Sequence, residues 1–260
     1  MSTKFFSGSA YKFCSVDTFQ KIVENEKLRL ARADTFNDPH ESNPFLIPLE
    51  WEALTKIQNN SQEIVRNIAN EAFVRICGSV YITCFCRNYL QKRSTLMWAH
   101  YANNHKGVCF EVNFPKVNAE NYHQHGVTPI NVTYVSSLSD ERNKRTPESE
   151  DLPLFIATYK SDDWQYEQEV RIVVESTSFD KTKFNEVNDG KNIDLDFNIA
   201  SISKVIFGLR TSNEEINETV KLFCRKGHLP DFFRIDINPI TIEFIEHELG
   251  IKEEILKHES

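Results

Sequence analysis

The sequence predicts an α+β fold, read as a single domain over residues 1–260 with a mixed or antiparallel core sheet and one inserted helical region. Three observations lead there. Short runs rich in β-branched and aromatic residues recur along the chain. Helical patterns with capping signals fall between them. No internal repeat or linker divides the 260 residues, and 40% hydrophobic with 26% charged residues is ordinary globular composition.

Taken in order, Tyr11–Cys14 reads as a short first strand. Asp17 offers an N-cap with Gln20 three residues on, opening a helix to about Glu26. Leu28–Arg32 is a second strand, broken by Asn37-Asp38-Pro39. The helical insertion covers about 49–75, with a break near Asn59-Asn60-Ser61. Val80–Cys86 is a strand. Ser94 caps a helix carrying Leu96, Met97, Trp98, His100 and Tyr101, which Asn103-Asn104 and Gly107 end. Val108–Phe114 is the next strand. The charge-dense stretch 136–152 reads as a surface loop. A helix over 152–160 leads to a strand through Trp164-Gln165-Tyr166-Glu167-Gln168-Glu169-Val170-Arg171. Residues 180–196 are polar, a loop or an extended hairpin. Ser203–Gly208 is a buried strand. Ser212 with Glu215 opens a helix that ends near Gly227, and Phe232–Ile237 is the last clear strand. An amphipathic helix is expected over 243–258.

Net charge is −8, which gives no global attraction for nucleic acid. The N-terminus has no sustained apolar run, and no stretch approaches 18 apolar residues, so neither a signal peptide nor a membrane span is expected. The six cysteines therefore read as reduced cytoplasmic thiols. Cys84-Phe85-Cys86, with His100, His105 and Cys109 downstream, hints at zinc. The one-residue spacer departs from the usual ligand spacing, and core packing is the reading adopted, with no metal expected.

Glu167, Glu169 and Arg171 alternate in sequence, and on a strand they would share one face. Two adjacent carboxylates repel, so a fold that holds them together usually uses them. The bland alternative is a solvated edge on which Arg171 neutralises Glu169. Phe36-Asn37-Asp38-Pro39-His40-Glu41 gathers polar groups on a turn, and either serves turn chemistry or carries Asp38 and Glu41 to a cleft. Missing are a phosphate-binding G-x-x-x-x-G-K-[ST] loop, a G-x-G-x-x-G after a strand, a G-x-S-x-G elbow and an H-E-x-x-H pair.

Three segments together resemble a widespread bacterial family known as domain of unknown function 2971. They are Phe36-Asn37-Asp38-Pro39-x-Glu41, then Leu96-x-Trp98-x-His100-Tyr101-Ala102 with Asn104-His105-x-Gly107-Val108-Cys109, then Trp164-x-Tyr166-Glu167-x-Glu169-x-Arg171. Val205-Ile206-Phe207-Gly208 is similar to its late strand, so the resemblance runs from about Tyr11 to Ile237. The order of elements also resembles ADP-ribosyltransferase toxins, whose late strand ends in E-x-E. That second resemblance implies an ADP-ribosyltransferase-like fold and NAD as substrate. Glu169 would then be the catalytic carboxylate that stabilises an oxocarbenium-like transition state, and Glu167 the residue orienting the acceptor. Tyr11, Lys12, Phe36, Asn37, Asp38, Glu41, His100 and Tyr101 would line the NAD site. The first strand carries Tyr11-Lys12-Phe13 where that superfamily carries His or Arg, and its Ser-Thr-Ser motif is missing here.

Three functions follow. The first is an NAD-consuming ADP-ribosyltransferase or glycohydrolase, of the kind found among toxins and anti-phage effectors, whose acceptor is protein, nucleic acid or water. The second is a metal-dependent hydrolase or nuclease using the same carboxylates. The third is a non-enzymatic sensor or adaptor. Oligomeric state is not legible in the sequence.

Overall fold

The structure is a computed structural model, and it describes residues 5–36, 43–49, 62–77, 80–90, 94–114, 128–146, 152–175 and 184–251. The chain divides into two compact units. One comprises Met1–Phe6, Arg29–Cys84 and Val117–Leu195; the other comprises Ser7–Leu28, Phe85–Lys116 and Asp196–Ser260. Both are α+β, as the sequence predicts, with mixed strand pairing.

The second unit contains β1 (Gly8–Cys14), α1 (Val16–Asn25), β4 (Val108–Phe114), β11 (Ile202–Phe207), β12 (Asp231–Ile237) and β13 (Phe244–Glu248). β1 runs antiparallel to β4 in unbroken register from Gly8↔Phe114 to Cys14↔Val108. β4 is antiparallel to β11, which is parallel to β12. A parallel pair needs a crossover, and the helix Asn213–Lys226 supplies it. That helix carries the foreseen capping box, with Ser212 and Glu215 capping each other's backbone, and ends on Gly227 at φ 69. Phe19 of α1 packs 4.9 Å from Phe110 and 5.9 Å from Phe223, ring centre to ring centre, tying both helices to the sheet. The helix Ser94–Tyr101 buries Met97 and Trp98, and Trp98 meets Phe13 edge-on at 5.0 Å.

Two sequence readings need correcting in this unit. The cap of α1 is Ser15, whose side chain accepts from the Thr18 amide. Ser15 holds the extended backbone a cap requires, so the helix starts two residues before the expected point and Asp17 falls in its first turn. The helix expected over 243–258 is absent at its start, where Phe244–Glu248 form β13 antiparallel to β12. The five residues find backbone partners across the hairpin, and this outweighs their helical spacing; residues 252–260 lie outside those described.

The first unit contains β2 (Lys27–Arg32, from Arg29 onward), β3 (Val80–Cys86, to Cys84), β5 (Thr128–Asn131), β8 (Glu169–Glu175) and the hairpin β9 (Phe184–Val187) with β10 (Asn192–Asp196). β2 pairs antiparallel with β3, and β8 pairs with β3 and antiparallel with β5. The helix Gln62–Cys77 lies within the expected insertion and runs slightly past it. Its Val65, Ala69 and Phe73, spaced four apart, are buried, which is the stripe a packed helix presents. Phe73 joins Leu46, Ile47, Leu152, Phe155 and Ile156 in one core. A second core gathers Ala33, Val80, Ile82, Ile130, Ala157 and Val173. Within the stretch read as a loop, Leu138–Arg142 form a short helix capped by Ser137.

The five cysteines with described side chains are free thiols, and Cys86 and Cys109 are buried as core residues. Among the described residues no helix is long and apolar enough to cross a membrane.

Candidate functional site

The site lies in the first unit and is built from one short piece of chain. Leu152–Thr158 form an apolar helix; Thr158 closes it by donating its hydroxyl to the Leu154 carbonyl at 2.7 Å. The chain then extends as β7 (Tyr159–Ser161), which runs parallel to β6 (Thr133–Val135) with Tyr134 opposite Lys160. Ser161 next caps a 3-10 helix over Asp162–Glu167, its hydroxyl accepting from the Asp163 amide at 3.4 Å. Gln168 turns left-handed at φ 45 and donates its amide to the Gln165 carbonyl at 3.2 Å. Only then does β8 begin, at Glu169.

This overturns the reading of one strand through Trp164 to Val174. The E-x-E carboxylates do not lie in a row on a single face, because Glu167 ends a helical turn and Gln168 reverses the backbone before Glu169. The aromatic run Trp164-Gln165-Tyr166 suits a strand, but Ser161 with two following aspartates makes a strong helix start.

The turn nevertheless brings the carboxylates together. Lys160 Nζ donates to Glu167 Oε2 at 2.6 Å and to Glu169 Oε1 at 2.6 Å. Arg171 Nε donates to Glu169 Oε2 at 2.6 Å, and its Nη1 donates to the Ala157 carbonyl at 2.7 Å. All four side chains are buried: relative exposure is 4% at Lys160, 1% at Glu167, 5% at Glu169 and 0% at Arg171. The Glu169 amide donates to the Tyr134 hydroxyl at 2.8 Å, and the Glu169 carbonyl accepts from the Val132 amide at 3.0 Å. Aromatic faces complete the surroundings. Lys160 Nζ lies 4.8 Å from the centre of the Trp164 ring, and the Arg171 guanidinium lies 5.7 Å from that of Phe36.

The acidities of the two carboxyl groups are driven apart. Burial raises Glu167 to about 8, and the hydrogen bond and negative charge of Glu169 push the same way against Lys160. Burial also opposes ionisation of Glu169, but the charge of Arg171, the hydrogen bond from Glu167 and the charge of Lys160 hold it well below the usual carboxylate range. Of the two, Glu167 is the group that holds a proton more readily and Glu169 the one that ionises more readily. Tyr134 is pushed up by burial and then by the Glu169 charge.

Of the sequence-predicted residues, Glu167, Glu169 and Arg171 meet here, with Phe36 beside Arg171. Asn37, Asp38 and Glu41 lie outside the described residues. Tyr11, Lys12, His100 and Tyr101 belong to the second unit. There the Tyr11 hydroxyl donates to Glu111 Oε1 at 3.4 Å, and burial followed by the Glu111 charge raises it to about 12. Lys12 Nζ lies 5.3 Å from the Phe85 ring centre, while His100 is exposed and its ring stands 6.2 Å from that of the half-exposed Tyr101.

Sequence reasoning missed Lys160 and Tyr134. The signal for Lys160 was a lone cation at the end of the apolar run Leu152–Tyr159, a position hard to leave unpaired. Tyr134 offered no signal in its neighbours.

No curated protein and no solved structure matches this chain. One family model does, over a stretch that begins at Met97, includes Gly107, Lys160, Glu167, Glu169 and Arg171, and leaves the Phe36–Glu41 motif outside: residues 97–172 match the family described as Protein of unknown function (DUF2971).

Proposed function

We propose that this protein is an NAD-consuming enzyme of the ADP-ribosyltransferase or NAD glycohydrolase type, with Glu169 and Glu167 as its working carboxylates. The supporting observation is the buried pair itself: two carboxyl groups that share Lys160 and whose acidities are driven in opposite directions. Carboxylates held in opposite states are the usual mark of divided acid–base labour. In this reading the bond from C1′ to nicotinamide breaks and its electron pair leaves with the nicotinamide nitrogen. Ionised Glu169 offsets the positive charge growing at C1′. The acceptor oxygen of a protein, a nucleic acid or water bonds to C1′, and its proton passes to Glu167, which must first be ionised.

The sign of the pH dependence follows. Glu167 becomes a base only as pH rises through about 8, so acceptor transfer should climb across that range. Nicotinamide release and transferred ADP-ribose, followed from about pH 6 to about pH 9, test this. A rising limb near 8 supports the assignment, and a flat profile contradicts it.

A second reading has its own observation. Lys160 engages both carboxylates and Arg171 engages Glu169 at hydrogen-bond distance, so the charges offset one another inside the fold. Such a network suits a non-enzymatic sensor or adaptor in which it locks the turn Asp162–Gln168. The metal-hydrolase reading is weakened by the same contacts, because the Lys160 ammonium occupies the space between the carboxylates that a cation would take. NAD turnover separates the enzyme from the adaptor.

A further inference from the structure

We infer that Lys160 is the positioning residue of this site: its ammonium clamps Glu167 against Glu169 and sets how tightly the pair holds its proton. The geometry carries this. Glu167 and Glu169 are separated by a left-handed residue and stand on different elements, so the backbone alone gives their side chains no common direction. One atom, Lys160 Nζ, reaches an oxygen of each at 2.6 Å. The clamp is itself anchored, because β7 pairs in register with β6 and the ammonium lies against the Trp164 ring. Arg171 donates to Glu169 and to the Ala157 carbonyl, whereas Lys160 donates to both glutamates, so the two cations are not equivalent. Lys160 favours the ionised form of both carboxylates, whereas Arg171 adds its charge to Glu169 alone and leaves the proton to Glu167. Among the described residues, the groups facing Glu167 include Lys160 from β7, Glu169 from β8 and, within electrostatic reach, Tyr134 from β6.

Take away the cation and the pair must hold its proton more tightly, since two buried anions then face each other with one positive charge fewer. The consequence for turnover rests on the glycosyl-transfer reading; the consequence for the proton does not. The test is therefore a titration. Protein carrying 13C at the glutamate carboxyl carbons is followed by NMR as pH rises, for wild type, Lys160→Arg and Lys160→Met. In wild type the Glu167 step should fall near 8. Lys160→Arg keeps the charge and should hold that step within about half a unit, whereas Lys160→Met should move it up by about one unit or more. An unmoved step in Lys160→Met overturns the proposal.

Should Lys160→Met not fold, Lys160→Met combined with Glu167→Gln removes one positive and one titrating group together. The Glu169 step in that protein should lie above its position in Glu167→Gln alone, and equality would overturn the proposal. Nicotinamide release is measured in parallel. Lys160→Arg should retain the wild-type pH limb, and Lys160→Met should carry the limb upward with the carboxyl step. Protein that turns over no NAD but titrates as described would sink the glycosyl-transfer reading and leave the role of Lys160 standing.

Discussion

Lys160 and Glu169 are nine residues apart, on successive strands, and the lysine ammonium meets the carboxylate at 2.6 Å with both side chains buried. Burying these charges costs several kcal/mol per ion, and their attraction recovers that only when the geometry is good and the remaining polar atoms are satisfied. Well-packed apolar side chains of similar volume often give equal or greater stability at such positions. Stability is thus a weak reason for a sequence to place Lys160, Glu167, Glu169 and Arg171 together, and chemistry or conformational locking is a stronger one.

Folded Glu167 keeps its proton to about 8, whereas the unfolded chain releases it near the ordinary value of 4.5. Between those limits the folded state binds more protons. Its contribution is complete below the lower limit, falls as pH rises by at most about 1.4 kcal/mol per unit, and levels off above the upper one. Glu169, shifted the other way, stays ionised across this window in the folded state and titrates at its lower edge in the unfolded chain, so its own contribution changes little above about pH 5. Urea midpoints at about pH 5 and about pH 8 should therefore differ in wild type and converge in Glu167→Gln. An identical fall in both proteins would remove Glu167 as its source.

Arg171 holds two groups at once, the Glu169 carboxylate through Nε and the Ala157 carbonyl through Nη1. A lysine carries a point charge and has no fixed fork to span both. Arg171→Lys should cost about 2–3 kcal/mol, the size of a charge-assisted hydrogen bond lost inside a fold. The check is the shift in melting temperature, and an unchanged value would contradict the spanning role.

Gly107 explains itself sterically. A Cβ there would lie 2.2 Å from the Cys14 carbonyl oxygen and 2.9 Å from the Ala102 backbone. Neither neighbour is a flexible side-chain end, and the Gly107 carbonyl accepts from the Gly208 amide and the Thr211 hydroxyl. Gly107→Ala should destabilise by about 3 kcal/mol or more. A wild-type unfolding midpoint in that variant would contradict the close approach.

Much of the fold was legible because local signals agreed with long-range packing. The capping box at Ser212 and Glu215, the terminal Gly227 and the runs Val108–Phe114 and Val80–Cys86 each mark elements that the core requires. The site was legible in its membership and not in its shape. Glu167 and Glu169 drew attention as adjacent charges, but the turn at Gln168 depends on Ser161 capping and on where Lys160 is held by Tyr134's strand, which alternation cannot report. The stretch Phe244–Glu248 carries helical spacing, yet its conformation follows from a hairpin partner in β12. Tyr134 became part of the site only when β6 met β7, a pairing with no trace in either three-residue segment.

The central claim is that Glu169 supplies a charge for cleavage of a glycosidic bond, and the most direct test is nicotinamide release from NAD by wild type, Glu167→Gln and Glu169→Gln. Glu169→Gln keeps the side-chain size and removes the charge. Its release rate should fall by about 10²–10³, the loss of roughly 3–4 kcal/mol of transition-state stabilisation. The variant also leaves Lys160 and Arg171 short of a counter-charge, so rates are compared at a temperature where circular dichroism shows it folded. Glu167→Gln should retain part of the hydrolysis and lose transfer to an acceptor. Release by wild type that drops at Glu169→Gln in folded protein is the predicted result; no release by wild type, or equal small effects at the two glutamates, would contradict the claim and favour the adaptor reading.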